Sequence, residues 1–435
     1  MTKPLVRADP APPRRPRFPR LLQQTDFRRY WSAQTVSLFG DQITMLAMPL
    51  LAVLALGAGP AEMGYLTAAS LLPNLLFSLP AGAWMDRYPR RRQVMIIADL
   101  GRAGLLLAVP LLWWADALNL PLLCVVAFLI GILSVFFGVA HSSLFASLVQ
   151  RQNYVDANSL ISGSRAISDV AGPSIGGVLV QVLTAPVALV ADVLTYLTSA
   201  VFLTRTTVTE HPAQTGPGMG MATGVRYVAR SAVLRAVLLG LTTLNLFNYM
   251  FAALFVLYVT TELGVSPGVL GLAIGAGAFG GLLGAAVTGP LSRRIGIGPA
   301  VILGLVVFPA PLILVPLAGG PRPLVLALLL TAEFVSALGV MILDIAAGSV
   351  QIAATPKTML AVVSGVRRTV NYGIRPVGAL IGGALGAAIG VRPALWIASL
   401  GALLGAFWVV FSPLRTMRTL PEEWHPPAAG PVGSN

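Results

Sequence analysis

The sequence predicts an all-α integral membrane protein whose twelve transmembrane helices form two six-helix bundles. Three observations point to this fold class. The 435 residues are 56% hydrophobic and only 10% charged, a composition that suits a chain surrounded by lipid. Long apolar segments alternate with short basic clusters, and similar residues mark corresponding places in the two halves of the chain.

Twelve apolar segments are long enough to cross a bilayer, whose hydrocarbon core of about 30 Å requires about 20 residues of helix. The first six lie near 31–56, 63–83, 93–114, 119–141, 158–183 and 186–204. The second six lie near 236–261, 265–290, 298–317, 323–345, 364–390 and 393–411. Because the number is even, both termini are predicted to lie on the same side of the membrane.

The basic residues give these spans a direction. Of the 29 Lys and Arg residues, 24 fall on the side of the N-terminus, two fall on the other side and three lie inside spans. Cytoplasmic loops carry the excess of Lys and Arg, so both termini are predicted to be cytoplasmic in a cell (inner) membrane. The same dispersal argues against a nucleic-acid partner for the +13 net charge, because such binding needs one basic solvated face.

Changes in composition divide the chain into five segments. Residues 212–220 are rich in Gly and Pro and precede a short basic amphipathic stretch, as in a linker between bundles. The first twenty residues lack the apolar stretch of a cleavable signal. The predicted segments are a cytoplasmic basic tail (1–30), an N-terminal six-helix bundle (31–204), a cytoplasmic linker (205–235), a C-terminal six-helix bundle (236–411) and a cytoplasmic tail (412–435).

An internal repeat relates the two bundles. Span 5 contains residues 162–165 (SGSR) followed by Pro173, and span 11 contains residues 364–367 (SGVR) followed by Pro376. A second pair of matching sequence motifs lies directly after span 2 and directly after span 8. Matches in both halves favour parallel repeats related by an axis along the membrane normal, an architecture known in transporters.

The segment Gly82–Arg92 (GAWMDRYPRRR) resembles the G-x-x-x-D-R-x-x-R-R signature of the major facilitator superfamily and lies, as in that family, between spans 2 and 3. Its glycine permits close helix approach, and its carboxylate can pair with arginines. The counterpart after span 8 has Arg293 in place of the acid. The resemblance implies a major facilitator fold and a cytoplasmic latch that joins the bundles in the outward-open state. The latch residues are Gly82, Asp86, Arg87, Arg90 and Arg91.

Span 5 carries a second motif. Gly172, Pro173, Gly176 and Gly177 resemble the core of the G-x-x-x-G-P-x-x-G-G motif of antiporters, although Ser168 replaces the leading glycine. Two interpretations stay open: the motif serves antiport, or it only allows tight packing and a kink. Packing residues alone do not define a transport mechanism, so both are kept.

Two further segments narrow the family resemblance to one branch. Residues 27–31 with 40–42 in span 1, and residues 99–103 in span 3, resemble the drug:proton antiporter branch that holds macrolide-efflux proteins and the enterobactin exporter. This resemblance implies a secondary active exporter of small amphipathic organic molecules, such as a drug, a siderophore or a secondary metabolite. It also implies proton antiport by alternating access, with helices 1, 4, 7 and 10 around the cavity.

Carboxylates inside the membrane are the candidates for proton coupling. An acid at the bilayer centre costs about 2.5–3.5 kcal/mol on insertion scales, so it is not expected to face lipid. Asp41 lies about 15 Å into span 1 at about 1.5 Å per residue, and Glu333 is equally deep in span 10. We predict Asp41 as the first coupling residue and Glu333 as the second. A structural carboxylate held by a neighbouring donor is the alternative for each.

Polar residues at helical spacing accompany these acids. Asp41 shares one face of its helix with three other polar residues, and spans 7 and 10 have similar stripes. The predicted substrate-cavity residues are Gln34, Thr44, Asn245, Asn248, Tyr249 and Ser336.

Opposite charges at helical spacing form two predicted pairs inside the membrane. Asp99 lies three residues before Arg102 in span 3, and Asp169 lies four residues after Arg165 in span 5. Each pair can neutralise itself locally, which favours a structural role over proton transport. Asp192 in span 6 has no obvious local partner.

Other classes of protein are disfavoured. The chain has no P-loop, its three histidines are scattered and Cys124 is its one cysteine, so no cofactor, metal cluster or disulfide is expected. No span pairs a nucleophile with a base, which argues against an enzyme. We expect a monomer whose partners are protons, membrane lipid and an amphipathic substrate. An importer or facilitator of a small nutrient stays open, as does a membrane-embedded enzyme or non-transporting sensor.

The charge asymmetry predicts the outcome of cysteine labelling. In a Cys124→Ser background, a single cysteine introduced within residues 212–220 should react with a membrane-impermeant thiol reagent only after the membrane is permeabilised. A cysteine at Gly319, between spans 9 and 10, should react in intact cells. Labelling of the 212–220 site in intact cells would reverse the predicted orientation.

Overall fold

The computed structural model describes residues 20–88, 90–207 and 221–419, and within them all regular secondary structure is helical. Twelve helices are long and apolar enough to cross a membrane, which confirms the predicted number of spans. The helices of the first half are α1 (Thr25–Leu54), α2 (Pro60–Arg87), α3 (Arg91–Trp114), α4 (Leu120–Leu148), α5 (Tyr154–Leu183) and α6 (Ala185–Thr204). The predicted tail and linker residues 1–19, 208–220 and 420–435 lie outside the described residues.

The second half begins with a short helix, α7 (Met221–Arg230), which precedes the spans. The spans are α8 (Ala232–Leu257, extended by a π-helical turn at Tyr258–Glu262), α9 (Pro267–Ile295), α10 (Ile297–Val307) continued by α11 (Leu314–Leu317), α12 (Arg322–Ala353), α13 (Leu360–Ile389) and α14 (Val391–Leu403) continued by α15 (Gly405–Val410). Pro309 and Pro311 lie where the ninth span is interrupted between α10 and α11, because proline lacks the N–H that a helix interior requires.

Several helices extend past the predicted segments. α1 begins at Thr25 instead of 31, α4 ends at Leu148 instead of 141 and α12 ends at Ala353 instead of 345. Hydropathy detects only the part of a helix that lies in hydrocarbon, whereas more polar turns continue the helix toward the membrane surface. The predicted spans are therefore too short at these ends.

The two halves pack in the same way, as the internal repeat predicts. In the first half α1 packs on α5 and α6, and α2 packs on α4; in the second half α8 packs on α13 and α14, and α9 packs on α12. Thr184 links α5 to α6 with a φ of 77°, and Gly390 links α13 to α14 with a φ of 93°. One residue in a left-handed conformation thus turns the chain at corresponding places, at a steric cost for threonine that glycine avoids. Each half is a six-helix bundle.

The bundles meet mainly through two helix pairs, α5 with α9 and α2 with α13, and α8 also contacts α1 and α2. We call the end of the molecule where α1 begins the basic end, and the opposite end the far end. Close contacts lie toward the far end. A Cβ built on Gly177 of α5 would lie 2.4 Å from the Pro267 carbonyl oxygen of α9, and one on Gly64 of α2 would lie 2.8 Å from the Ala379 carbonyl oxygen of α13. Any larger side chain would overlap these carbonyls, so glycine permits the approach.

The apolar cores show the same asymmetry. One core at the far end contains residues of both bundles, for example Leu51 and Leu254. At the basic end each bundle has a separate core. A Cβ built there on Gly82 of α2, Gly163 of α5 or Gly365 of α13 would meet no atom within 4 Å. The molecule is therefore closed at the far end and open at the basic end.

Alanine substitutions on α5 should act differently at its two ends. Gly177→Ala should separate α5 from α9 and shift the population toward states open at the far end, because the added Cβ overlaps the Pro267 carbonyl. Overpacking costs about 1–3 kcal/mol, which corresponds to a shift of about 5–150-fold in a conformational equilibrium. Spin labels at Ala55 and Gly319, in far-end loops of the two bundles, should report a longer inter-label distance.

Gly163→Ala is the matched control for this experiment, because the same change on the same helix meets no neighbouring atom. Its distance distribution should equal that of the unmodified chain. If Gly177→Ala gives that same distribution, the contact between α5 and α9 does not set the conformation.

Candidate functional site

A group of ionisable side chains lies in the middle of the first bundle, where α1, α3 and α6 meet. Asp41 of α1 accepts a hydrogen bond from the Tyr196 hydroxyl of α6, at 2.6 Å. The same oxygen, Oδ1, lies 3.6 Å from Nη1 of Arg102 on α3. The sequence placed Asp41 on a polar stripe of its helix and did not indicate these partners on other helices.

Arg102 contacts acids and aromatic rings at once. Its Nη2 donates to Oδ1 of Asp99, one turn earlier on α3, and Ser199 Oγ donates to the other Asp99 oxygen at 2.7 Å. Its Cζ atom lies 4.4 Å from the ring centroid of Phe137 on α4 and 4.2 Å from that of Tyr196. The Arg102 side chain is only 2% exposed, so its charge has been removed from water at a cost in free energy. Ion pairing and contact with two aromatic faces offset that cost.

Asp192 of α6 joins this group, although the sequence indicates no partner for it. Its carboxylate oxygens accept hydrogen bonds from Thr44 of α1 and, at 2.6 Å, from Thr195. A Cβ built on Gly40 would lie 1.9 Å from Asp192 Oδ1, so the glycine is what lets α1 approach this carboxylate. The one feature of the sequence that could have indicated this contact is the glycine directly before Asp41. A glycine permits a close approach but does not identify the helix that packs there.

We call Asp41, Asp99, Asp192 and Arg102 the acid cluster. Asp99 and Asp192 are 0% exposed, whereas the Asp41 side chain is 45% exposed. With three carboxylates and one guanidinium, full ionisation would leave two uncompensated negative charges in the bundle interior. Such an excess is costly, so the arrangement is suited to binding protons. Among the described residues, no three His, Cys, Asp or Glu side chains are grouped as a metal ion would require.

Gln34, predicted for the wall of the substrate cavity, is enclosed in this conformation, and its role in substrate binding stays a prediction. It is buried, and its Nε2 has no hydrogen-bond partner in the described part of the chain. The physical reason is that α5 and α6 pack along α1 and cover much of its surface. Thr44, predicted for the same wall, instead hydrogen-bonds to Asp192.

In the second bundle no hydrogen bond joins the predicted residues to one another within the described part of the chain. Glu333 of α12 makes no hydrogen bond or ion pair with the described residues, and its backbone packs against Gly277 of α9. Asn245 donates to the backbone carbonyl one turn earlier at 2.8 Å, Asn248 is half-buried and Ser336 is buried. Among the described residues Glu333 thus has no polar partner, whereas Asn245 bonds within its own helix.

A cavity of 330 Å³ lies in the basic-end half of the molecule, between α2, α4 and α13. Its polar lining consists of Asn74, Ser78, Ser364, Arg368, Thr369 and Tyr372. None of the six predicted cavity residues lines it. The resemblance placed helices 1, 4, 7 and 10 around the substrate path, whereas this cavity forms where α2 and α13 diverge from their far-end contact.

The antiporter-like motif places α5 between two other helices. Cβ atoms built on Gly172 and Gly176 would contact Gln42 and Ile43 of α1, and one on Gly177 would contact α9 of the other bundle. The glycines therefore serve two close helix contacts, one within the first bundle and one between the bundles.

The predicted pair of Asp169 with Arg165 is not a direct ion pair. Asp169 accepts a hydrogen bond from Gln42 of α1 instead. Arg165 attracts it only from beyond the 4.0 Å limit of an ion pair. The spacing permits the pair, but a donor on a neighbouring helix satisfies the carboxylate.

The predicted latch residues lie at the open basic end. Arg87 and Arg90 are exposed, and Arg91 donates to Ser147 Oγ of α4 at 3.3 Å, a contact within the first bundle. The side chain of Asp86 lies outside the described residues.

Comparison with known proteins places the chain in a family. Residues 19–431 match the family described as transmembrane secretion effector (MFS_3). The multidrug efflux pump Tap of Mycolicibacterium fortuitum is 28% identical over 391 residues, which cover 86% of this chain and 92% of that protein. The multidrug efflux pump Tap of Mycobacterium tuberculosis is 29% identical over 268 residues, which cover 59% of this chain and 63% of that protein.

Solved structures share the fold at low sequence identity. The nucleoside transporter NupG has a TM-score of 0.73 and 12% identity, covering 88% of this chain and 98% of its own. A bacterial homolog of the human lysosomal transporter Spinster, in an inward-facing and occupied conformation, has a TM-score of 0.71 and 13% identity, covering 94% of this chain and 100% of its own. At these identities the similarity establishes the fold alone.

The family match extends over the whole membrane region, and the twelve-helix fold agrees with it. The chain is therefore a membrane transporter of the major facilitator superfamily and belongs to its transmembrane secretion effector family.

Proposed function

We propose that the chain is a secondary active transporter that exports small amphipathic organic molecules by proton antiport. The acid cluster carries the proposal, because two of its three carboxylates are fully buried and one guanidinium cannot balance three negative charges, so the site needs protons. The relatives named as multidrug efflux pumps support export. A drug, a siderophore or a secondary metabolite is the proposed class of substrate, and inward proton flow supplies about 2.3 kcal/mol per charge for each 100 mV.

Asp41 is the proposed site of proton exchange. It is the accessible carboxylate of the cluster, whereas Asp99 and Asp192 are enclosed. Its Oδ1 faces both the Tyr196 hydroxyl and Arg102. A proton on Asp41 leaves Arg102 paired with Asp99 alone, and loss of that proton restores the second ion pair. Exchange would therefore change the contacts that join α1 to α3 and α6.

Glu333 is the second candidate for coupling. It has no polar partner among the described residues, and an unpaired charge in apolar surroundings is costly. It lies on α12, which packs on α9, and α9 is one of the helices at the bundle interface. A change of its charge would therefore act on the second bundle near the surface that meets α5.

We propose that the basic end faces the cytoplasm, as do both termini. The distribution of 24 Lys and Arg residues against two supports this orientation. The conformation described here would then be open to the cytoplasm, from which substrate enters. Closure of that end would engage the latch, and Gly82 has free space around it for such an approach. The bundles 31–204 and 236–411, joined by the linker 205–235, would rock about their far-end contacts.

Arg102→Gln should destabilise the folded protein. Loss of the guanidinium leaves the fully buried Asp99 without its ion-pair partner, and breaking a buried pair from one side costs about 3–5 kcal/mol. Adding Asp99→Asn should recover part of this loss, because the double variant buries no unpaired charge there. Thermal unfolding of the purified protein in detergent measures both effects. If Arg102→Gln unfolds at the same temperature as the unmodified chain, the ion pair does not support the fold.

Asp41→Asn should abolish uphill export and retain downhill exchange, because the variant cannot bind and release the coupling proton. The measurement is uptake into inside-out vesicles under an imposed pH gradient, where export appears as accumulation. The compound is chosen from a panel of amphipathic drugs as one that vesicles with the unmodified chain accumulate. Accumulation should collapse with a protonophore, and Asp41→Asn should match the collapsed level.

Asp116→Asn is the matched control, because Asp116 is exposed and its φ of 52° is one that asparagine tolerates. It should accumulate the compound as the unmodified chain does. Equal accumulation by Asp41→Asn would exclude Asp41 as the coupling site, and Glu333→Gln is then measured in the same way.

A further inference from the structure

A cationic side chain in the second bundle has no part in the proposed proton exchange. Arg375 lies in the middle of α13, where a guanidinium is costly unless it has partners. Its Cζ atom lies 4.3 Å from the ring centroid of Tyr372 and 5.0 Å from that of Tyr249 on α8. Its Nε is buried and has no hydrogen-bond partner among the described residues.

The Tyr372 and Tyr249 rings lie against the flat faces of this guanidinium, and the Tyr249 hydroxyl also interacts with Arg375. Cation–π contacts use those faces, whereas the N–H donors of arginine point outward in its plane and form a fork that matches a carboxylate or another oxyanion. Within the described part of the chain, Arg375 forms no ion pair with a carboxylate. No described carboxylate takes up these donors in an ion pair, so the donors that Tyr249 does not use can bind an anion from outside the chain.

The acids and bases around Arg375 leave an excess of positive charge. Asp344 of α12 interacts electrostatically with Arg375 and also with Arg367. Arg367 lines a small apolar pocket away from the cavity. Arg368 lines the 330 Å³ cavity, with its Cζ atom 5.4 Å from the Tyr372 ring centroid. Two guanidiniums thus interact with one carboxylate, and Arg368, which forms no ion pair with a described carboxylate, adds a positive charge at the cavity surface.

The cavity beside Arg368 and Tyr372 has room for a small organic molecule. Its 330 Å³ falls within the range of about 300–1,000 Å³ found for ligand pockets. No Asp or Glu lines it. Asn74 and Ser78 of α2 offer hydrogen bonds, and leucine and valine side chains of α2 and α4 complete an apolar wall. Arg375 lies one helical turn deeper along α13 than Tyr372.

We propose that Arg375 and Arg368, with the rings of Tyr249 and Tyr372, form a subsite for an acidic group of the transported molecule. The substrate class is then an amphipathic organic acid, with a carboxylate or another oxyanion beside an apolar body. The oxyanion accepts from the in-plane donors of Arg375, and the apolar body lies against the wall of α2. This inference rests on the proposed transport of amphipathic molecules and adds the charge that the molecule carries.

Equilibrium binding of two matched probes tests the subsite. The fluorescent 11-(dansylamino)undecanoic acid and its methyl ester share an aromatic group and an apolar chain and differ by one negative charge. Titration of the purified full chain in a nonionic detergent without added lipid gives the Kd of each. The acid should bind at least about tenfold more tightly than the ester, the effect of one charge-assisted bidentate contact. Equal Kd values for the acid and the ester would overturn the proposal.

Variants test whether the preference for the acid over the ester arises at this subsite. Arg375→Gln should raise the Kd of the acid to that of the ester and leave the ester unchanged, and Arg368→Gln, at the cavity surface, should remove part of the preference. Arg294→Gln is the control, because it removes an exposed arginine of α9 that does not line the cavity. A preference for the acid that persists in both Arg375→Gln and Arg368→Gln would place the anion elsewhere and overturn the subsite.

This experiment separates failure of the subsite from failure of the proposed export. Binding in detergent requires no gradient, so a subsite for acids would be detected even if the chain did not antiport protons. Conversely, equal binding of the acid and the ester, together with gradient-driven accumulation of a neutral or cationic drug in vesicles, rejects the subsite and keeps the proposed export.

Discussion

The burial of one guanidinium organises the first bundle. Arg102 is 2% exposed, and a buried arginine requires partners for its charge and for the flat faces of its guanidinium. The acids come from α1 and α3, and the aromatic rings come from α4 and α6. Four helices therefore meet at one side chain. Asp41 occupies its place because the same guanidinium and the Tyr196 hydroxyl hold it there, while part of its carboxylate remains accessible.

Close backbone contacts set the conformation of the two bundles. At the far end, glycines on α2, α5, α9 and α13 bring carbonyl groups of opposing helices within reach, and a core shared by both bundles forms around them. At the basic end the bundles keep separate cores, and glycines on α2, α5 and α13 face open space. Glycine is useful at both ends if the contacts alternate, since a residue that is free in one state can be part of a close contact in the other.

The two bundles share an architecture and differ in charge. Corresponding helix pairs pack in the same way in both halves. The first bundle nevertheless contains three buried or half-buried acids around one arginine, whereas α13 in the second presents arginines beside tyrosine rings. Because the repeat fixes backbone packing and not side-chain chemistry, each bundle is free to acquire its own charge. In our proposals the first bundle exchanges protons and the second holds an anionic group of the substrate.

The sequence alone determined the features that depend on composition and local spacing. Twelve spans follow from hydropathy, the repeated architecture from matching motifs, and the choice of Asp41 and Glu333 as candidates from the cost of a carboxylate in lipid. These properties are local, because each can be evaluated within one helix. The sequence did not determine the helix ends, since polar turns continue α1 and α12 beyond the apolar segments.

Only the tertiary structure decided which residues act together. Asp192 meets Thr44 across α1 and α6, Arg102 lies between rings of α4 and α6, and Gln42 takes the place of Arg165 as the partner of Asp169. The cavity likewise forms between α2, α4 and α13 and not from the polar stripes of α1 and α8. Helical spacing identifies neighbours on one helix, but it does not contain the rotation of that helix against the next, which the packing of glycines and bulky side chains fixes.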